Sequence, residues 1–168
     1  MEGTGCLTVR DFFSRSGDDS PSGDFVPVMV DCSLTFAEMV AAGNYDSVDR
    51  CVTPDNFSAV NSWKREVGLT LEPLGRVAVV GEVFDRLIRR PLITPAGPEE
   101  ILAFGAKFPE IQRCFPIIAF GAAPLIQDKW FNCQASLLLS GNELWRTLEV
   151  AWFTAVLPKN CLLLLSSL

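Results

Sequence analysis

Near its end the chain runs Cys161, Leu162, Leu163, Leu164, Leu165 with no polar interruption. Five residues are far too few to cross a bilayer. A short continuous apolar run of this kind reads as a buried strand, and the final strand is expected over residues 160–165. A buried strand requires a core around it, and the composition supplies one. Of the 168 residues 49% are apolar and 20% are charged, too few charges for a disordered chain of this hydrophobicity. The length fits one domain. The expected organisation is an N-terminal segment over residues 1–24, helix-like at residues 7–14 and then a polar linker, followed by one domain over residues 25–168.

Local patterns then place the elements. Residues 25–31 (FVPVMVD) read as a first strand, with Pro27 pointing to an edge position. Thr35 and Glu38 have the spacing of a capping box, and the helix they open, residues 36–42, meets a stop at Gly43-Asn44. Residues 45–57 read as irregular. Residues 69–74 and 76–84 read as strands, the second being the best central strand because it is rich in β-branched residues. Pro98 followed by Glu99 and Glu100 opens the clearest helix, whose apolar face is Ile101, Leu102, Phe104 and Phe108. Pro109 stops it, and residues 110–113 add one further turn. A buried strand follows at residues 115–121. Residues 130–139 and 143–150 form a hairpin about the turn signal Ser140-Gly141-Asn142. Helices and strands do not alternate regularly, so the expected class is α+β, a mostly antiparallel sheet with two main helices.

Chemistry is harder to find. Histidine is absent, which removes the commonest general base, the commonest metal ligand and every Ser-His or Cys-His pair. The six cysteines, Cys6, Cys32, Cys51, Cys114, Cys133 and Cys161, include no C-x-x-C spacing, and most lie in apolar stretches. They read as buried or half-buried thiols. Glycines occur singly, without a phosphate-gripping pattern. No cofactor and no metal is expected. The net charge of -6 argues against nucleic acid and against an anionic membrane surface as partners. The basic group Arg86, Arg89 and Arg90 is flanked by Glu82 and Asp85 and reads as a solvated face. With no basic-apolar leader at the start, a cytoplasmic protein is expected.

One stretch has a familiar look. Residues 94–121, TPAGPEEILAFGAKFPEIQRCFPIIAFG, resemble a block in a family of small uncharacterised bacterial proteins, where a helix like ELLALGAKYPELQ precedes a strand like FPIVALGS. VPVMVD, FAEMVAAGNYD and VTPDNF are similar to the same family's start, and LEVAWF with NCLLLL to its close. The chain departs from the pattern in its short connection between Phe120 and Trp130 and in a tail that is apolar where the family is basic. The resemblance carries no activity and no site residues.

Candidate sites follow from residue type. Asp46, Asp49 and Asp55 form an oxygen-rich loop, without calcium-loop spacing, and read as turn residues. Glu99 and Glu100 read as helix-start residues. Cys114, after Arg113, is the one candidate nucleophile. The aromatic group Trp130, Trp145, Trp152 and Phe153 is the most suggestive feature, because Trp concentrates binding energy at interfaces. The expected function is a non-enzymatic protein-binding or adaptor module using that surface. The alternative is an enzyme whose pocket gathers at least two of Asp31, Asp46, Asp49, Glu82, Asp85 and Cys114.

Overall fold

The computed structural model describes residues 25–57, 64–127 and 132–167. The helix expected at residues 7–14 and the linker after it lie outside them, as do Cys6 and Trp130. The architecture is an α+β fold built on one nine-stranded mixed sheet. In chain order the elements are β1 (Val26–Asp31), α1 (Phe36–Ala42), β2 (Ser47–Val48), β3 (Lys64–Pro73), β4 (Ala78–Val79), α2 (Val80–Leu87), β5 (Thr94–Pro95), α3 (Pro98–Lys107), α4 (Ile111–Cys114), β6 (Ile117–Ala119), β7 (Leu125–Gln127), β8 (Asn132–Gly141), β9 (Arg146–Trp152), β10 (Val156–Leu157) and β11 (Leu162–Ser166).

The strand order is β1-β3-β11-β6-β8-β9-β2, with β5 beside β11 and β7 beside β8. Seven of the nine described pairings are antiparallel; β11 with β6 and β2 with β9 are parallel. The apolar run at the end is β11, and it lies inside the sheet between β3 and β6. That position explains its composition. Leu162 and Leu164 enter one core, while Leu163 and Leu165 enter a second core on the other face. A strand covered on both faces reads as continuous and not alternating. The first core holds Phe36 and Met39 of α1, Ile101 and Phe104 of α3, and Ile111 of α4. The second holds Val80, Val83 and Leu87 of α2, with Leu157 of the small β4–β10 ribbon.

Several local expectations are met with their chemistry visible. Thr35 Oγ1 accepts from the Glu38 N–H at 3.3 Å, and the Glu38 carboxylate accepts from the Thr35 N–H at 2.7 Å. Both partners of the capping box are therefore engaged. α1 ends where Asn44 takes a left-handed φ of 48°, a conformation Asn tolerates. Pro98 occupies the first turn of α3, and Glu100 reaches back to the Gly97 N–H at 2.7 Å. β1 is indeed an edge strand, and Lys107 Nζ donates to the Pro27 carbonyl at 2.7 Å.

Other expectations are corrected. The sheet is mostly antiparallel as expected, but it is mixed and nine-stranded, and the described residues form four helices, not two main ones. Residues 76–84 are not a central strand: only Ala78–Val79 pair, and Val80–Leu87 is helix α2. Val80, Val83 and Leu87 recur at i, i+3 and i+7 and are all buried, while Glu82, Asp85 and Arg86 are exposed. That period is helical, and it outweighs the β preference of the valines. The helix starts without a side-chain cap because the chain supplies carbonyls instead. The Val80 N–H donates to the Ala155 carbonyl at 2.9 Å and the Gly81 N–H to the Phe153 carbonyl at 3.0 Å. Two of the orphan donors at the helix start are thus satisfied by tertiary contacts.

Candidate binding surface

The β8–β9 turn is an exposed feature held by several hydrogen bonds. Its core is an Asx turn: Asn142 Oδ1 accepts from the Leu144 N–H at 2.9 Å and the Trp145 N–H at 3.0 Å. The Asn142 N–H donates back to the Trp145 carbonyl at 2.9 Å. From α4, Arg113 Nη1 donates to the carbonyls of Asn142 at 3.3 Å and Glu143 at 2.9 Å. This turn holds Leu144 at 78% exposure and Trp145 at 57% exposure.

Arg146 fixes the same turn from below. It is 5% exposed, on the face of the sheet that α1, α3 and α4 cover. Nη1 donates to the Gly43 carbonyl at 2.7 Å, and Nη2 to the Gly105 carbonyl at 2.8 Å and to Gln112 Oε1 at 3.0 Å. Gly43 follows the last residue of α1 and Gly105 lies in the last turn of α3. The buried cation therefore rests on two helix C-termini, whose partial negative charge compensates it. Gln112 completes the clamp by donating to the carbonyls of Ser140 and Thr147 at 2.8 and 3.2 Å. Tyr45 stacks beside the guanidinium, 5.2 Å from ring centroid to Cζ, and burial pushes its phenol up to about 12. Neither the Tyr45 hydroxyl nor Arg146 Nε has a partner among the described residues. A Cβ on Gly105 would lie 2.5 Å from that hydroxyl, so glycine is needed there for packing and not for a special φ. Sequence reading placed Arg146 in a strand and nothing more, since a buried arginine carries no pattern of its own.

A second exposed region lies where α2 stops short. α2 and the β4–β10 ribbon cover β11 and β6, whereas the same face of β1 and β3 carries Pro27 and Met29 opposite Gly68 and Glu66, with Phe25 just before β1 beside Gly68. Phe25 is 48%, Met29 54% and the neighbouring Leu92 89% exposed. Phe25, Leu92, Ile93, Thr70, Glu72 and Leu165 line a cleft of about 500 Å³ there. Ion pairs bracket the strip: Asp31 with Lys64 at 2.6 Å, and Glu72 with Arg90 at 2.7 Å.

The expected aromatic surface is placed piecemeal. Trp145 is exposed on the turn. Trp152 is half-buried against the first core, and Phe153 packs in the second with its ring centroid 5.0 Å from that of Phe84. The sheet separates those two, so Trp145, Trp152 and Phe153 do not form one patch. The carboxylates of the enzymatic alternative are dispersed as well. Asp31 sits on edge strand β1, where the Lys64 ammonium holds its carboxyl below the usual range. Asp46 and Asp49 lie at the opposite edge: Asp49 accepts from the Cys51 N–H at 2.8 Å, as a turn residue does, whereas Asp46 accepts from the Arg146 N–H of β9 at 2.7 Å, a tertiary contact. Glu82 and Asp85 are on α2. The cleft on the open face is lined by none of them, nor by Cys114. Glu100 accepts from Arg65 at 3.0 Å and Ser166 at 3.1 Å besides its cap, so it ties a helix start to two strands.

The thiols need one correction. Cys32 and Cys161 are buried and Cys51 and Cys133 half-buried, all unpaired, but Cys114 is exposed because it ends the one-turn α4 on its solvent side. Burial pushes Cys161 up to about 12 and also raises Cys32 and Cys51. A hydroxyl–carboxylate trio, Ser140, Thr147 and Glu149, links β8 to β9 with oxygen separations of 2.6–2.9 Å. No three Cys, Asp or Glu side chains among the described residues are grouped as a metal site would need. No helix among them is long and apolar enough to cross a membrane. Searched against known proteins, the chain matches no family model, no curated protein and no solved structure.

Proposed function

We propose that this protein is a non-enzymatic module that binds another protein, with the Leu144–Trp145 knuckle as its anchor. The observation that carries the reading is an exposed aromatic turn whose backbone is held by hydrogen bonds from Asn142 and Arg113. A turn whose backbone is already held loses less entropy on binding, so burial of the large side chains it presents converts more fully into affinity. Asn142, Arg113 and the Arg146 clamp supply that order without using the Trp145 indole itself. The net charge of -6 favours a cationic partner surface through long-range attraction. Kinship with the small bacterial proteins whose block residues 94–121 resemble is part of the same proposal and is supported by the sequence resemblance alone.

The test is affinity capture with the full chain, compared with Trp145→Ala and Leu144→Asp. Both positions are exposed, so both variants are expected to keep the wild-type circular dichroism and melting temperature. A specific partner should be lost from both, with affinity down by at least about 30-fold, the equivalent of a 2 kcal/mol anchor. Equal capture by all three proteins would refute the assignment of the turn.

A further inference from the structure

The open face of β1 and β3 has a charge pattern of its own. Asp31 is neutralised by Lys64 at one end and Glu72 by Arg90 at the other. Between them Glu66 is exposed and forms no ion pair among the described residues. Its register partner is Met29, so the two side chains are cross-strand neighbours on the same face. Phe25 lies on that face too, since a Cβ on Gly68 would sit 3.6 Å from the Phe25 Cβ. Phe25 and Met29 are four residues apart, about 13 Å along a strand. The strip thus offers an apolar seat at Phe25 and Leu92 and, about 13 Å away, a lone carboxylate beside a flexible thioether.

We propose that this strip docks an extended segment of another protein that is both apolar and basic. A large apolar side chain of the segment packs on Phe25 and Leu92, and a Lys or Arg about four positions along pairs with Glu66. Two charge observations select this occupant: the unpaired Glu66 on the strip, and the acidic excess of the whole chain, which speeds encounter with cations. A second copy of the chain brings the same carboxylate to the contact and is disfavoured for that reason. This surface is separate from the hairpin knuckle and rests on different residues.

The experiment is selection of a displayed random dodecapeptide library on the immobilised full chain, followed by anisotropy titration of a labelled consensus peptide. Recovered sequences should pair Phe, Leu or Trp with Lys or Arg about four residues apart. Phe25→Ser and Leu92→Ser should each weaken the consensus peptide at least 10-fold, and Glu66→Gln about 3-fold. Glu66→Lys should shift the selected charge from Lys and Arg to Asp and Glu. Peptides whose binding ignores Phe25→Ser and Leu92→Ser would overturn the proposal, as would peptides that bind the strip but keep their basic residues against Glu66→Lys. Loss of binding in Trp145→Ala would move the segment to the knuckle and equally overturn it. So would sedimentation showing a dimer that Phe25→Ser dissolves, or a strip already shielded by residues 1–24, seen as peptide binding that appears only when Phe12 and Phe13 are made Ser. Failure on any of these counts leaves the knuckle assignment standing, because that assignment is read out by Trp145 and Leu144 alone.

Discussion

Arg146 is the side chain on which the two layers around the hairpin depend. A buried guanidinium is costly unless its donors are engaged, and this one engages two helix-end carbonyls and an amide oxygen. Replacing it by Ala leaves the carbonyls of Gly43 and Gly105 and the Gln112 amide buried without their donor. Arg146→Ala is expected to lose about 3 kcal/mol or more, read as a lower urea midpoint. The Leu144–Trp145 turn should loosen with it, seen as faster amide exchange at those two positions. Residue-scale burial also sets the alkaline limit. The Tyr45 phenol moves from 10.0 to about 12 on folding, and the Cys161 thiol from 9.0 to about 12. In the unfolded chain both lose their protons at their ordinary values, so between those values and 12 the unfolded state gains deprotonation free energy that the folded state lacks. Stability is therefore complete below pH 9 and falls as pH rises from 9 toward 12. Melting temperatures across that range should decline, and Cys161→Ala should make the first part of the decline shallower. A flat profile to pH 11 would contradict the burial of both groups.

At the scale of elements, α1 shows a helix that its own sequence specifies. Thr35, Glu38, the apolar stripe and the Gly43-Asn44 stop all agree, and the structure reproduces residues 36–42. Thr35→Ala removes the cap and should cost about 1 kcal/mol in thermal or urea unfolding. The cap also carries a pH signature. The Thr35 backbone N–H and hydroxyl hold the Glu38 carboxyl below its usual value of 4.5, so its contribution is present above that value and fades as pH falls through the lowered one. The gap between wild type and Thr35→Ala should accordingly narrow below pH 4. α2 is the opposite case. Its valines favour a strand locally, and its N-terminus has no capping side chain. Only the carbonyls of Phe153 and Ala155, some seventy residues further along, and the second core make it a helix. β2, β5, β7 and β10 were likewise illegible, because two- or three-residue strands are defined by their partners and not by a period of their own.

At the scale of the molecule, β11 joins the two cores. Leu163→Ala opens a cavity in the α2 layer and Leu164→Ala one in the α1–α3 layer, although the residues are adjacent in sequence. Each is expected to cost about 2–5 kcal/mol, within the range for a fully buried leucine. Their effects should be close to additive, since the sheet keeps the two cavities from sharing partners. A double variant much less destabilised than the sum would mean the cores are not separate.

The candidate site divides in the same way as the fold. Trp145 was legible as a residue type enriched at interfaces, and a hairpin was legible from Ser140-Gly141-Asn142, but Ser140 and Gly141 prove to be the paired end of β8 and the turn falls at residues 142–145, where the returning strand was expected to begin. That Trp152 and Phe153 fall on opposite sides of the sheet was not legible, because a strand's two faces acquire different neighbours only when layers are added. The open strip at Phe25 and Met29 was hidden for a related reason: an exposed apolar residue in a strand looks like a core residue until the covering helix is seen to stop short.

The sequence alone determined what short-range physics can determine: the capping box and stop of α1, the Pro98 start of α3, the hairpin turn, the apolar β11, and a chain without imidazole. Tertiary structure decided the rest. It made residues 80–87 a helix, threaded β11 between β3 and β6, turned Arg146 inward onto two helix ends, and left the Phe25–Met29 strip uncovered by any other described element. Each of those outcomes rests on contacts between residues distant in the chain, whose free energy exceeds the fraction of a kcal/mol per residue by which local propensities differ.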